Sequence, residues 1–261
     1  MYNEIGRGSE HIVFKKQYSD KLCKTRLNYL ISLSLSKNKV DIININNLEK
    51  ELVLQYISKE TKFEQYLTKN LFFLKSKLKI LEKKEIDFTD INTINNIEII
   101  GREQTYINLK KHNNGHLNNI ESFDFTTIKK ELTNIAKRKN IVENNYWLTD
   151  IFFNNFNKDV IHNIENKINR IGEEKISNLI TTMFEFSKNE NEIIDCIGQN
   201  NIIFNNHNKT FTLLDLFIGD TTYSKKDKLF ISMTYTIGIN LYLNILNKTE
   251  RINWDIFKKI T

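Results

Sequence analysis

Residues 192–217 read EIIDCIGQNNIIFNNHNKTFTLLDLF. Two short apolar runs, Asn201–Phe204 and Phe211–Leu214, flank the polar stretch Asn205–Lys209. Runs of that length around an Asn-rich turn predict a hairpin. Three polar residues punctuate it: Asp195 before the first strand, Asn201 at its start, and Asp215 where the second strand ends. Paired strands bring their ends side by side, so the amide of Asn201 and the carboxylate of Asp215 are expected near one another.

Working outward, the periodicity upstream of the hairpin is helical over 126–139, 145–157, 159–171 and 173–188. Downstream, 227–246 is one strongly apolar helix, with a short helix expected at 253–260. Lys111–Asn119 (KHNNGHLNN) is polar and contains Gly115, the signature of a linker. Ahead of it the pattern changes. Residues 1–27 read as strands around a polar turn at Tyr18–Lys21, and 97–109 as strands broken by a turn centred on Gly101. Between them, 47–82 is expected to be helical, with Leu48, Leu52, Tyr56, Ile57, Phe63, Leu67, Leu71 and Leu74 on its apolar face and Asn46 or Asn47 as its cap. Residues 28–46 fit either type. The expectation is an α+β protein: a β-rich first part over 1–110 and a mainly helical second part over 111–261 that carries the 195–217 hairpin.

Two further patches carry chemistry. Residues 5–14 read IGRGSEHIVF. Gly6 and Gly8, one residue apart, let backbone approach phosphate oxygens without an intervening Cβ. No helix-type pattern follows, which argues against a dinucleotide-binding turn. Lys24 lies on the next apolar run, Leu22-Cys23-Lys24, with Lys21 as the competing candidate.

Taken in order, these patches resemble the protein-kinase-like phosphotransferases. Gly6, Gly8 and Val13 fit G-x-G-x-x-G-x-V, with His11 at the third glycine. The resemblance implies a two-lobed fold with a small β-rich N-lobe and a helical C-lobe. It implies that Gly6, Gly8, Val13 and Lys24 bind the nucleotide, with Glu49 or Glu51 as the partner of the lysine. It implies ATP and Mg2+ as cofactors, Asn201 (or Asn200) and Asp215 as metal ligands, and Asp195 as the catalytic group that orients the acceptor hydroxyl. The departures are specific. Ile193 and Ile194 stand where a His-Arg pair precedes the catalytic Asp, Asp215-Leu216-Phe217 lacks the usual glycine, and a chain without proline has no Ala-Pro-Glu. Forty-six residues follow Asp215, too few for the usual protein-substrate platform, so a small-molecule acceptor is preferred to a protein one. A pseudokinase, using the same fold only to bind nucleotide or protein, is the alternative.

The 261-residue composition sets the remaining bounds. Asn, Ile and Lys dominate, Ala occurs only at Ala136, and the formal net charge is +6. Asn, Ile and Lys all have AT-rich codons, which reads as a genome bias. The lysines alternate with Asp and Glu, which describes a solvated basic surface and argues against nucleic acid as a partner. Cys23 and Cys196 have no pairing pattern, consistent with a reducing, cytoplasmic setting. No stretch approaches the ~18 apolar residues of a membrane span. His112 and His116 have i, i+4 spacing but no third ligand near them, and Trp147 and Trp254 are assigned to packing.

Overall fold

The computed structural model describes residues 1–8, 10–86, 96–107, 120–138, 155–198, 200–217 and 225–253. The predicted linker 111–119, His112, His116, Trp147, Trp254 and the predicted helix 253–260 (except Asn253) lie outside them, as does most of the predicted helix 145–157. The protein is mixed α+β and divides into two compact units, one of Met1–Gln65 with Leu74–Leu109 and one of Tyr66–Phe73 with Lys110–Thr261. Residues 66–73 thus leave the first unit in sequence and join the second.

The first unit is built on an antiparallel sheet of order β1-β2-β3-β6-β5, comprising β1 (Tyr2–Arg7), β2 (His11–Lys16), β3 (Lys21–Arg26), β5 (Lys77–Glu82) and β6 (Glu98–Thr105). Helices α1 (Leu27–Leu35) and α2 (Lys39–Glu64) follow β3 directly. Alternation places Ile12, Phe14 and Cys23 in a core with Tyr29, Leu30 and Leu33 of α1 and Ile42 and Val53 of α2. Each such side chain, removed from water, contributes roughly 1.5–3 kcal/mol.

Residues 28–46, which fitted either type, are helical here except at 36–38, and three expectations fail: the cap at Asn46 or Asn47, the helical continuation to 82, and the turn at Gly101. The β-branched run 40–45 is helical, because α2 starts at the cap Asn38, whose Oδ1 accepts the Asp41 N–H at 2.9 Å. The helix ends at Glu64, and the residues expected to prolong it form β4 (Leu71–Phe73) and β5. Gly101 is no turn but the middle of β6: a Cβ there would lie 2.5 Å from Cys23 Sγ and 2.9 Å from Thr25 Oγ1, so glycine lets β3 and β6 pack.

The second unit has a four-stranded sheet of order β4-β9-β8-β7, with β7 (Ile120–Ser122), β8 (Ile202–Asn205) and β9 (Thr210–Leu213). β4 runs parallel to β9 and the other pairs are antiparallel. The helices are α3 (Thr126–Arg138), α4 (Lys158–Ile171), α5 (Glu173–Glu190) and α6 (Lys225–Ile245). Their core is aromatic: Tyr242 stacks on Phe125 at 5.7 Å between centroids, and buried Tyr235 donates to Met183 O at 3.0 Å. Among the described residues, no helix is long and apolar enough to cross a membrane.

Candidate functional site

The hairpin of the second unit forms where its sequence places it. Ile202 and Phe204 share a face with their partners Leu213 and Phe211, the Phe204 and Phe211 rings 4.9 Å apart, while Ile203 is buried on the opposite face. Asn205 Oδ1 accepts the His207 N–H at 2.9 Å and closes the turn. Its open end gathers the three predicted residues. The Leu214 N–H donates to Asn201 O at 2.7 Å, and the Asp195 N–H donates to Leu216 O at 2.7 Å. Asp215 therefore stands between two backbone bonds, one reaching Asn201 and the other reaching Asp195. A bridge between Ile194 and Phe217 extends this pairing, and Ile194 and Cys196, both fully buried, pin the Asp195 loop from below.

Asp195 also orders its own loop. Its Oδ1 accepts the N–H groups of Ile197 and Gly198, each at 3.1 Å. The next turn separates the two asparagines that the sequence left open. Asn200 is exposed, has φ of 64°, and is held by its backbone N–H on Ser122 Oγ at 3.2 Å. Asn201 is half-buried, and its side-chain amide lies against Gly198. Ser122 donates in turn to Asp124 Oδ2 at 2.9 Å. Lys167 Nζ is placed toward Ser122 O at 3.5 Å, and burial lowers the pKa of this lysine despite the nearby charges of Asp124 and Glu121. These supports were missed in the sequence. Ser122 and Asp124 precede α3 as an ordinary capping pattern would, with Asp124 Oδ1 accepting the Thr126 N–H at 3.0 Å.

Among the described residues, no group of three or more His, Cys, Asp and Glu could hold a metal ion. The hairpin root offers two carboxylates and an amide oxygen. In residue type this set is compatible with Mg2+, which usually takes one or two carboxylates and completes its shell with water and substrate phosphates.

In the first unit, strand register builds a basic row. Val13 of β2, Lys24 of β3 and Arg102 of β6 are directly opposite one another, so they share one face of the sheet. His11 and Arg26 lie on that same face by the two-residue repeat. Lys21 is on the other face with Cys23. Arg102 lies over the Tyr56 ring of α2, 3.7 Å from its centroid, with Nη2 3.5 Å from His11 Nε2. Of the two candidate glutamates, Glu51 is exposed, whereas Glu49 is 2 % exposed. Glu49 binds Arg26, with Nε 3.0 and 2.9 Å from its two oxygens and Nη2 2.5 Å from Oε2. The acid of the helix is thus met two residues beyond Lys24. Gly6 faces Val13 across the β1–β2 pair next to a bulge, and Gly8 donates its N–H to His11 O at 2.8 Å. A Cβ at Gly6 would meet nothing within 4 Å, and one at Gly8 only His11 O at 3.8 Å. Packing of the described residues requires neither glycine. No protein-family model matches the chain, and neither a curated protein nor a solved structure does.

Proposed function

We propose that the protein is a divergent kinase-like, ATP-dependent phosphotransferase with a two-lobed fold. The observation that carries this reading is the hairpin root, where the backbone bonds of Leu214 and Leu216, on either side of Asp215, reach Asn201 and Asp195. In this reading Asn201 and Asp215 would hold Mg2+, which would supply charge neutralisation for phosphoryl transfer from ATP to an acceptor hydroxyl, with ADP as the leaving group. Asp195 orients that hydroxyl and takes its proton. Its Oδ1 is engaged by two amides, so the carboxylate is fixed in direction before an acceptor arrives. Catalysis then consists of positioning and electrostatics.

The first unit supports the same reading. Lys24 and Val13 share a face beside a glycine turn that the packing of the described residues does not require, and α2 turns a buried acid toward the same basic face. Gly6 and Gly8 would let backbone amides approach phosphate, and Lys24 would position it. A small-molecule hydroxyl is the preferred acceptor class.

Thermal unfolding of the chain with ATP and Mg2+ tests this. The wild-type chain should gain stability by mass action, about 2.7 kcal/mol at a hundredfold excess over Kd. Asp215→Ala should lose the Mg2+-dependent part of the gain. An Asp215→Ala chain that keeps the full Mg2+-dependent shift excludes the assignment. His11 at the third glycine position favours the pseudokinase as second reading. It predicts the same shift with no ADP formed in the presence of hydroxyl acceptors.

A further inference from the structure

We infer that Gly198 is a positioning residue for Asn201, and through it for the metal that the proposed reaction requires; the metal role rests on that reading. Gly198 stands midway between Asp195 and Asn201 in sequence. Its N–H donates to Asp195 Oδ1 at 3.1 Å. On its other side, the amide of Asn201 occupies the space where a side chain at 198 would begin. A Cβ there would lie 2.4 Å from Asn201 Nδ2, 3.0 Å from Cγ and 3.3 Å from Oδ1. Gly198 does not have positive φ, so its backbone conformation is open to other residues and the need for glycine is one of space.

The obstructing atoms end a side chain. A methyl group at 198 is therefore accommodated by turning the Asn201 amide away. The backbone bonds that hold the loop, Leu214 N–H to Asn201 O and Asn200 N–H to Ser122 Oγ, are left in place. One residue thereby joins the acceptor-side acid to the metal-side amide, by a hydrogen bond to the first and a fitted contact with the second. Mg2+ demands near-octahedral oxygen geometry, so a turned amide is a lost ligand.

The test is a cycle of four full-length chains: wild type, Gly198→Ala, Asn201→Ala and the double variant. Calorimetric titration with ATP and Mg2+ should show Gly198→Ala weakening Mg2+-dependent binding by about tenfold, as loss of a supporting contact does elsewhere. Asn201→Ala should lose at least as much, and the double variant no more than Asn201→Ala alone. Unfolding midpoints of the unliganded chains give a second readout. Gly198→Ala should lower the midpoint beside Asn201 but not beside Ala at 201. Additive binding losses, or unchanged binding by Gly198→Ala, overturn the inference. A wild-type chain with no Mg2+-dependent ATP binding sinks the phosphotransferase reading and the metal role together, and the midpoints alone then decide whether 198 and 201 are coupled.

Discussion

Glu49 is a carboxylate that α2 carries into the interior of the first unit, and Arg26 is the cation that meets it there. Burying a carboxylate is costly unless hydrogen bonds and an opposite charge replace its water. The guanidinium fork supplies both, whereas an ammonium would be a single point of charge. Arg26→Ala leaves the acid buried and should destabilise the chain by about 3 kcal/mol, the low end for such pairs because Arg26 keeps 26 % of its side-chain exposure. Urea unfolding measures this, and Glu49→Gln in the Arg26→Ala background should recover part of the loss. The sequence could not choose between Glu49 and Glu51. Residues two apart on a helix point to nearly opposite sides, so the choice needs the rotation of the helix about its axis. Arg26 was legible in principle, since it repeats the strand parity of Lys24, whereas the kinase-like resemblance points to a lysine at this place.

At the scale of elements, the hairpin 201–214 was legible and α2 only partly so, for a physical reason. The hairpin carries local signals: alternation, length and Asx-type turn bonds. The start of α2 has a β-branched run of which Ile42 is buried while Val40 and Ile43 are exposed, so its intrinsic preference is overridden by the cap and by the packing of the rest of the helix. Ile42, Val53 and Phe63 bury their side chains, and the cap outweighs the propensity of residues 40–45. Asn38 accepts the Asp41 N–H, and its own Nδ2 donates to Asp41 Oδ2 at 2.6 Å. Asn38→Ala should cost about 1 kcal/mol in denaturant unfolding, and Asn38→Ser, which keeps a capping oxygen without setting a second carboxylate against Asp41, should cost less. The stretch 66–82 misled for the opposite reason. Leu67, Leu71 and Leu74 keep helical spacing, yet Leu71–Phe73 pair in parallel with Phe211–Leu213, far away in sequence. A three-residue strand with a distant partner leaves no local periodicity to read. It also explains why residues 66–73 were expected in the first part of the chain but group with the second unit.

Both units bury acidic protons, and this sets the response of the whole molecule to alkali. In the first unit, burial pushes the Cys23 thiol and the Tyr2 hydroxyl up to about 12 each, and Tyr29 is also raised. In the second, burial raises Cys196, Tyr235 and Tyr242. On unfolding these groups regain ordinary values, 9.0 for a thiol and 10.0 for a phenol. Between the two values the unfolded chain gives up protons that the folded chain keeps. Their stabilisation is therefore complete below about pH 9 and declines as pH rises toward the folded values. Lys167 acts oppositely: burial lowers its pKa below 10.5, so it favours the folded state as pH rises toward that value. One lysine stands against six acids spread over both cores, so the acids decide the sign. The unfolding midpoint should stay level from pH 7 to about 9 and fall steadily above it. Cys23→Ala should lessen but not abolish the earliest part of that fall, because the thiols of Cys23 and Cys196 are the first of these groups to titrate in the unfolded chain. A midpoint that holds or climbs through pH 10.5 in a pH series of thermal melts would mean that these groups are not sealed in the cores as described.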